Sequence, residues 1–404
     1  MTEPSVVFVW ENFGPVHADR CDAVARHFGD RREVHGIELA GSSQVYAWNS
    51  QDGAAFQKHT LFPGAVIYKV PFFKKAAALL RACWARRPAD FFFCNYDSPL
   101  IFWTALALRL TGARVFVMND SKFDDYRRYL ARELVKRVFY LPYDGAIASA
   151  ARAADYLRFL GVPESRILSH YDTMSTERIR RLAGVARAPG GPAFAARHFT
   201  IVARLVEKKN IAMALEAYAL YRAEAPRPRQ LHICGSGPLE ARLRAQAAEL
   251  GLGDSVAFRG FLQIEEVCPV LGKTLALLLV SAQEQFGNVV IEAQALGAPV
   301  IVSDNCGARD MLVRNGVNGF VVEPDNPAGL AYFMGLLDRD EALWRRMALA
   351  SEPFAALGDA AHFARAVAAL AGARSKPALA QGASQGAPGS PQGAVIADRL
   401  RDGA

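Results

Sequence analysis

The sequence predicts an α/β protein built from two doubly wound parallel sheets, and three observations support this prediction. Short apolar runs alternate with helical patterns almost throughout the 404 residues. Several of these runs are apolar at nearly every position, as expected for strands covered on both faces. The alternation also occurs twice, before and after a stretch at 186–193 that contains Gly and Pro. The length of the chain agrees with about two domains.

The first series of elements predicts an N-terminal domain at residues 1–186, on one side of a cleft. Its strand candidates are Val6–Trp10, Val34–Leu39, Ala65–Val70, Phe91–Asn95, Val115–Met118 and Gly145–Ala148. Helical patterns lie between several of them, at Ala18–Phe28, Ala76–Arg87 and Leu100–Leu110. Strands that alternate with helices in this way are typical of parallel sheets.

The second series predicts a linker at 187–197 and a C-terminal domain at 198–345, on the other side of the cleft. Its strand candidates are Phe199–Ala203, Gln230–Cys234, Val256–Arg259, Leu275–Val280, Val300–Ser303 and Gly319–Val322. Helices are predicted to begin near Ile211, Pro238, Ile264, Asn288, Ala308 and Pro327. Residues 346–372 are predicted to form helices that cross back to the first domain. Residues 373–404 are rich in small and polar residues and are expected to be a disordered tail.

Composition narrows the possible partners. The net charge of +7 suits anionic ligands or an anionic membrane surface. It is too small to indicate nucleic acid, and the sequence has no zinc finger, RNA-recognition motif or heptad series. The six cysteines include no C-x-x-C pair and are interpreted as buried thiols of a reducing compartment. We find no signal-peptide pattern at the N-terminus, so we expect a cytoplasmic protein.

Two glutamates mark the segment after the strand at Leu275–Val280. Glu284 lies in a Gly-containing loop, and Glu292 lies eight positions later on the next helix. Between them, the N–H groups of Gly287, Asn288 and Val289 offer an anion site at the helix N-terminus. The segment could therefore hold sugar hydroxyls, a phosphate and a ribose. An ordinary βα turn with two solvated glutamates would give the same pattern.

Further candidates follow other strands, where doubly wound sheets bind ligands. Arg204 and Lys209 could converge on a diphosphate and neutralise a leaving group, although a solvated basic turn is the alternative. Gly235 lies in a turn with two glycines that lacks the full G-x-G-x-x-G pattern. A nucleobase could stack near Arg259, or this could be a plain strand end. Gly14, after the first strand, would let backbone approach a phosphate, or it could be ordinary turn chemistry.

Taken in order, the motifs of residues 198–340 resemble family 4 glycosyltransferases. They are Arg204-Leu205…Lys209-Asn210, Gly235-Ser236-Gly237-Pro238, Val256…Phe258…Gly260, Glu284-Gln285-Phe286-Gly287…Glu292-Ala293…Gly297-Ala298-Pro299-Val300 and Gly316…Gly319. The resemblance implies the GT-B fold and a retaining hexosyltransferase (EC 2.4) of glycan, glycolipid or polysaccharide biosynthesis. It implies a UDP, GDP or ADP sugar as donor and no metal. Alternatives are a nucleotide-sugar epimerase, hydrolase or phosphorylase of the same fold, or a non-catalytic sugar-nucleotide binder.

The resemblance also implies that the domain at 1–186 is the acceptor side and the domain at 198–345 the nucleotide-sugar donor side, and it implies roles for individual residues. Arg204 and Lys209 would bind the diphosphate and stabilise the departing nucleotide, and Glu284 would hold donor sugar hydroxyls. Glu292 would bind the ribose hydroxyls. The residues predicted to contact the donor are Gly14, Gly235, Arg259, Phe286, Gly287, Asn288, Val289 and Glu292.

The acceptor side departs from the family pattern. Many members carry a histidine near the donor sugar, whereas this chain has Asn119 and Asp120 after a buried strand. We predict that one of these two lies at the reacting centre. The acceptor, a sugar, a lipid-linked molecule or a small hydroxyl compound, is predicted to meet His17, Tyr96 and Asp97. Ordinary turn residues would explain the same positions equally well.

Two stretches, 70–87 and 126–140, mix aromatic, aliphatic and basic residues. On helices, such residues could lie on an anionic membrane and present a lipid-linked acceptor at its inner face. The alternative is a pair of amphipathic surface helices packed on the sheet.

Overall fold

The first half of the chain forms a parallel sheet of seven strands. The computed structural model describes residues 3–41, 52–94 and 97–372. The strands are β1 (Ser5–Trp10), β2 (Val34–Glu38), β3 (Gln57–Thr60), β4 (Ala89–Phe93), β5 (Arg114–Asn119), β6 (Gly145–Ala148) and β7 (Ile167–Leu168). They pair in the order β3-β2-β1-β4-β5-β6-β7. The inner strands β4 and β6 are buried along their whole length, which accounts for their apolar sequences, interrupted only by Asp90 of β4.

The second half forms a parallel sheet of six strands. These are β8 (His198–Val202), β9 (Leu231–Cys234), β10 (Val256–Gly260), β11 (Thr274–Leu279), β12 (Val300–Ser303) and β13 (Gly319–Val322). Their order is β10-β9-β8-β11-β12-β13. The predicted fold class, two doubly wound parallel sheets, is confirmed.

Helices cover both sheets. In the first half they are α1 (Pro15–Phe28), α2 (Phe72–Trp84), α3 (Pro99–Leu110), α4 (Leu130–Tyr140), α5 (Ala151–Phe159) and α6 (Thr176–Ala183). In the second half they are α7 (Ile211–Glu224), α8 (Glu240–Glu249), α9 (Ile264–Leu271), α10 (Val289–Ala295), α11 (Arg309–Leu312), α12 (Pro327–Arg339), α13 (Glu341–Leu357) and α14 (Ala360–Gly372). Within the described ranges, none of these helices has the length and apolarity needed to cross a bilayer.

The apolar clusters show which helices share a face of the first sheet. Buried residues of α2, α3, α4 and α5 form one cluster with β1, β4 and β5. Buried residues of α1 and α14 form another cluster on the opposite face. The first sheet is therefore the middle layer of three, the arrangement expected for doubly wound folds.

Two strands of the first half differ from the sequence prediction. The apolar run Ala65–Val70 was predicted as a strand, but it contains a 3₁₀ turn at Ile67–Lys69 closed by backbone hydrogen bonds. The strand beside β2 is instead β3, whose sequence is polar. As an edge strand paired only with β2, it is partly exposed and needs no apolar pattern. The two-residue strand β7 was not predicted either, because it is too short to show a period.

Two helices pack across the predicted domain limits. Helix α6 precedes residue 186 but packs against α9 and α10 of the second half. Helix α14, at the end of the described chain, packs against α1 on the first sheet. The limits at 186, 198 and 345 stay a prediction, and the predicted tail at 373–404 lies outside the described residues.

The topology fixes where a ligand site can form. The direction of winding reverses between β1 and β4 in the first sheet and between β8 and β11 in the second. Loops leave the sheet on opposite faces at such a point and open a crevice at the carboxyl ends of the strands.

Candidate active site

A cavity of about 480 Å³ lies at the carboxyl ends of β8, β9 and β10. The start of α1, from the first half of the chain, contributes Pro15 and Val16 to its wall. Polar and aromatic groups in its lining include Arg178, Arg204, Ser236, Phe261, Asn288 and Glu292. Residues from both halves therefore meet at one concave site, which is the usual setting of a small-molecule site.

Two glycines allow the loops after β8 and β9 to stack as one wall of the cavity. A Cβ on Gly235, whose φ is +152°, would lie 1.8 Å from the Ala203 carbonyl oxygen. A Cβ on Gly237 would lie 2.4 Å from the Leu205 carbonyl oxygen. The Leu205 amide donates to the Ser236 carbonyl at 2.9 Å and joins the loops. The glycines are thus required by the contact between backbones, whatever the ligand.

Lys209 and Glu284 meet at the point where the second sheet reverses its winding. The Lys209 ammonium forms an ion pair with Glu284, and Ser281 Oγ donates to the same carboxylate at 2.9 Å. Asn210, in the left-handed region at φ +57°, fixes the Lys209 loop by donating to the Val280 carbonyl at 3.1 Å. Lys209, predicted to bind the diphosphate, and Glu284, predicted to bind the sugar, are therefore paired with each other, next to the segment that carries Arg204.

The start of α10 offers unused amides. Within the described residues, the N–H groups of Gly287, Asn288 and Val289 make no backbone hydrogen bond. Gly287 has φ +103°, and a Cβ there would lie 2.7 Å from Leu279 Cδ2. The Phe286 side chain is buried in the core, so only its backbone lies beside these amides. Amides at a helix start can bind an anion.

Glu292 lies in the cavity wall near a buried ion pair. Burial raises the pKa of Glu292 to about 7, Arg178 lowers it and Asp19 raises it. Arg178 itself donates twice to Asp19 of α1, at 2.8 Å and 2.6 Å. Glu292 therefore exchanges its proton near neutral pH and could accept hydrogen bonds from a ligand.

Asn119 is the last residue of β5 and Asp120 follows it, on the opposite wall. Asn119 is buried, its Oδ1 accepts from the Ser121 amide at 3.0 Å, and its Nδ2 has no hydrogen-bond partner. Burial raises the pKa of Asp120 to about 7, with further contributions from the charges of Asp172 and Asp125. A carboxyl group with this pKa can hold or release a proton near neutral pH.

Sequence reasoning missed Asp172 and Arg20, which stand beside Asp120. Both are buried, and Arg20 donates to Asp172 at 3.0 Å and to the Thr173 carbonyl at 3.0 Å. Burial raises the pKa of Asp172, Arg20 lowers it, and Glu284 of the other wall raises it. Asp172 follows the very short β7 and Arg20 lies inside a helix, so neither carries a motif signal.

The predicted acceptor residues are only partly described. His17 Nδ1 accepts from the Gly14 amide at 3.0 Å, and the ring packs against Trp10. Burial lowers the pKa of His17 well below its usual value, and Arg20 adds to the effect, so the imidazole is neutral. Asp97 is exposed, and Tyr96 lies outside the described residues. Both acceptor roles, and the donor role of Gly14 beside the cavity-lining Pro15, stay predictions.

The end of β10 contributes a different side chain from the one predicted. Arg259 is exposed and does not line the cavity, whereas Phe261, two residues later, does. Leu262, Gln263 and Ile264 continue the same wall. The donor role of Arg259 stays a prediction. Phe261 was missed because its ring lies beyond the strand, where period-two alternation no longer indicates direction.

Arg152 links the two walls beside the cavity. From α5 it donates to Asp310 at 2.9 Å and to the Cys306 carbonyl at 2.7 Å, both in the second half. It also donates to Asp124 of the first half at 2.7 Å. One side chain therefore bridges the segment after β5 and the segment after β12.

Comparison with known proteins agrees with this geometry. Residues 195–348 match the family model described as glycosyl transferases group 1. A D-inositol 3-phosphate glycosyltransferase of Streptomyces bingchenggensis is 32% identical over 215 residues, 50% of this chain and 47% of that protein. The amylovoran biosynthesis glycosyltransferase AmsK of Erwinia amylovora is 31% identical over 147 residues, 35% of this chain and 36% of that protein. The chain is thus matched over about half or less of the length of these relatives.

Solved structures extend the likeness to the whole fold. The crystal structure of HepE from Anabaena in complex with UDP and glucose superposes with a TM-score of 0.67 at 16% identity. The superposition covers 92% of this chain and 100% of that one. At this identity the likeness concerns the fold alone. Residues 195–348 are therefore similar to the glycosyl transferases group 1 family, and the chain as a whole has the GT-B fold.

Proposed function

We propose that the protein is a retaining glycosyltransferase that transfers a sugar from a nucleotide-diphosphate sugar to a hydroxyl group. The observation that carries the proposal is the arrangement around α10. Glu284, the unused amides of residues 287–289 and Glu292 lie along one short segment, and Lys209 from the loop after β8 forms an ion pair with Glu284. That segment falls inside the region matched by the family model. A cation, an anion-binding helix start and two carboxylates suit the phosphate and hydroxyl groups of such a donor.

The donor is proposed to lie along the cavity from base to sugar. The base would stand between Phe261 and the Gly235–Pro238 turn, and the ribose hydroxyls would bind Glu292. The diphosphate would meet Arg204 and the amides of residues 287–289, and the sugar would meet Glu284. We propose a UDP sugar as the first donor to test, with GDP and ADP sugars next, because HepE, which shares the fold, was crystallised with UDP and glucose.

The proposed chemistry follows from where charge develops. As the bond between the sugar's anomeric carbon and the diphosphate breaks, negative charge grows on the departing phosphate. Arg204 and Lys209 would stabilise this charge and take the role that a metal ion has in other transferases. The acceptor oxygen forms the new bond on the same face of the sugar, and its proton passes to the departing diphosphate. Asn119 and Asp120 would stand at this reacting centre.

The acceptor is proposed to be a hydroxyl of a sugar, a lipid-linked glycan or a small molecule in glycan, glycolipid or polysaccharide biosynthesis. The name of AmsK, an amylovoran biosynthesis glycosyltransferase that matches 35% of this chain, supports a role in glycan biosynthesis. We place the reaction in the cytoplasm, at the inner face of an anionic membrane. His17 and Asp97 are the described residues proposed to meet this acceptor.

A panel of UDP, GDP and ADP sugars tests the proposal. Thermal shift identifies the nucleotide that binds, and release of free nucleotide in the presence of candidate acceptors then measures turnover, with and without EDTA. We expect one nucleotide class to bind, turnover to depend on acceptor and to survive EDTA, and the product to keep the anomeric configuration of the donor. Conversion of the donor without acceptor would identify an epimerase or hydrolase, and binding without any turnover would identify a sugar-nucleotide binder.

A further inference from the structure

Helix α4 carries its apolar side chains on the solvent side. Four of them and the capping residue Leu141, which together we call the α4 stripe, are exposed by 47% to 76%: Leu130, Leu134, Val135, Val138 and Leu141. At 3.6 residues per turn these positions fall on one side of the helix. A soluble surface helix normally turns such a stripe to the core, so an unpartnered apolar stripe of this kind indicates a contact surface.

The side of α4 that carries Glu133 and Lys136 is turned inward instead. Glu133, its only carboxylate, is buried and accepts from Lys136 at 2.9 Å. Arg128 lies 3.5 Å from the same carboxylate, and the Tyr156 hydroxyl of α5 donates to it. This network fixes the rotation of the helix about its own axis. The α4 stripe therefore stays exposed because turning it inward would leave a buried carboxylate without its partners.

The charge around the stripe indicates which partner fits it. The exposed arginines Arg132 and Arg137 border the stripe on its two sides, and Arg127 precedes the helix. Because Glu133 is buried, α4 exposes no carboxylate. The exposed rings of Tyr126 and Tyr129 lie just before the helix. Apolar side chains bordered by arginine and preceded by tyrosine match the interface of an anionic bilayer. There the apolar groups lie in the acyl region, the arginines contact anionic headgroups and the tyrosine rings lie at the headgroup level.

Neighbouring helices extend the same outward face. Helices α2 and α3 lie with α4 on one side of the first sheet, and Phe102 of α3 contacts Phe139 of α4. On α2, Phe73 is 84% exposed next to the exposed Lys74. On α3, Trp103 is 58% exposed. Apolar and basic groups thus recur beyond α4 on this face.

We propose that the α4 stripe lies in the interface of an anionic lipid bilayer and that the acceptor is carried on that bilayer. The second part rests on the proposed function, since it deepens the acceptor class of the same enzyme. Docking through α4 would hold the reacting centre next to the lipid surface, where a membrane-bound acceptor is concentrated.

A rigid connection joins the stripe to the reacting centre. Arg128, which pairs with Glu133 at the start of α4, donates to the Phe123 carbonyl at 2.8 Å and to the Lys122 carbonyl. Lys122 is buried and lies 3.1 Å from Asp125. This segment begins directly after Asp120. The position of α4 therefore fixes the position of the loop that faces the cleft.

Cosedimentation of the full chain with vesicles tests the surface without any need for turnover. The vesicles are pure phosphatidylcholine, or phosphatidylcholine mixed with phosphatidylglycerol. We expect binding only to the anionic vesicles, weakened by salt. Leu134→Glu with Val138→Glu should lower this binding at least about tenfold, because the stripe loses apolar area and gains negative charge. Arg132→Gln and Arg137→Gln should each lower it about fivefold.

The matched control is Tyr332→Glu with Leu349→Glu, on α12 and α13 of the other half, where the two side chains are 58% and 57% exposed. This variant should bind anionic vesicles like the wild type. The inference is overturned if the wild type ignores anionic vesicles, or if the Leu134→Glu, Val138→Glu variant binds them equally well. It is also overturned if light scattering shows a dimer that this variant separates, since the stripe would then contact a second copy.

Turnover separates this inference from the proposed function. If the protein binds vesicles through α4 but consumes no nucleotide sugar, the membrane-binding role of the α4 stripe is supported and the proposed function is wrong. If the protein releases nucleotide with a soluble acceptor but does not bind vesicles, the proposed function is supported and the membrane-binding role of the α4 stripe is wrong. With an acceptor anchored in the vesicle, the Leu134→Glu, Val138→Glu variant should lose rate, whereas its rate with soluble acceptor should match the wild type.

Discussion

The two walls of the cleft share one topology but differ in how their functional groups are assembled. On the second-sheet wall, the cations lie within residues 204–209 and the carboxylates within 284–292, so each set is local in sequence. On the first-sheet wall, Arg20 and Asp172 meet from positions 152 residues apart. Local sets produce motifs that a sequence can reveal. Functional groups that are far apart in the sequence come together only when the whole sheet has formed, so only the folded chain shows them.

The largest expected effect concerns the donor wall. Lys209→Ala should lower kcat about 100- to 1000-fold, because it removes a preorganised cation from the departing phosphate. Steady-state nucleotide release measures this change. Lys208→Ala, in the same turn, is the matched control and should retain most of the wild-type rate. A wild-type rate in Lys209→Ala would remove the residue from the proposed mechanism.

The Lys209–Glu284 ion pair sharpens this test. Because the two side chains contact each other, the effects of Lys209→Ala and Glu284→Ala should not add. The double variant should be little slower than the slower single variant. Full additivity would mean that the two groups act on the donor independently, in spite of their contact.

The next effect concerns the link between the walls. Arg152→Ala should lower the free energy of unfolding by about 2 kcal/mol, since the mostly buried carboxylate of Asp310 loses its hydrogen-bonded charged partner and keeps only Arg309, 3.8 Å away. Denaturant titration measures the change. Arg158→Ala is the control on the same helix, since its ion pairs are exposed and should contribute less than about 0.5 kcal/mol. Equal losses in both variants would show that the link adds no stability.

The accuracy of the sequence predictions follows the same contrast. Buried strands such as β12 and β13 were predicted at their observed ends, because an apolar run covered on both faces has few alternatives. The polar edge strand β3 and the short β7 give no such signal. Motif residues such as Arg204 and Glu292 do line the cavity. The pairing of Lys209 with Glu284 and the inward Glu133 of α4 depend on tertiary contacts, so no local pattern could predict them.

A smaller effect tests the acidic group of the first-sheet wall. The pKa of Asp120 is raised from its usual 3.8 to about 7, so the folded chain keeps a proton that the unfolded chain releases between these values. The wild type therefore loses this contribution to stability as the pH rises through that window. Asp120→Asn cannot ionise and should gain about 1–2 kcal/mol relative to the wild type between about pH 5 and pH 6.5.

Thermal unfolding at several pH values measures this difference, and the comparison with the wild type cancels the opposite contributions of buried histidines such as His17. Glu292→Gln, on the other wall, should show the same sign, because the pKa of Glu292 is also raised to about 7. Asp254→Asn, an exposed site, is the control and should give a flat difference. If the difference in stability between Asp120→Asn and the wild type did not change with pH, this carboxyl group would be ionised throughout the range.

The smallest effect separates two positions at the end of β10. Phe261 lines the cavity, so Phe261→Ala should weaken UDP binding about tenfold through lost stacking on the base. Arg259 is exposed and does not line it, so Arg259→Ala should change UDP binding less than about twofold. Calorimetric titration with UDP compares the two. An equal loss of UDP affinity in Arg259→Ala would mean that Arg259 contacts the base, as the strand pattern predicts. The residues of the donor wall could then all be predicted from the sequence.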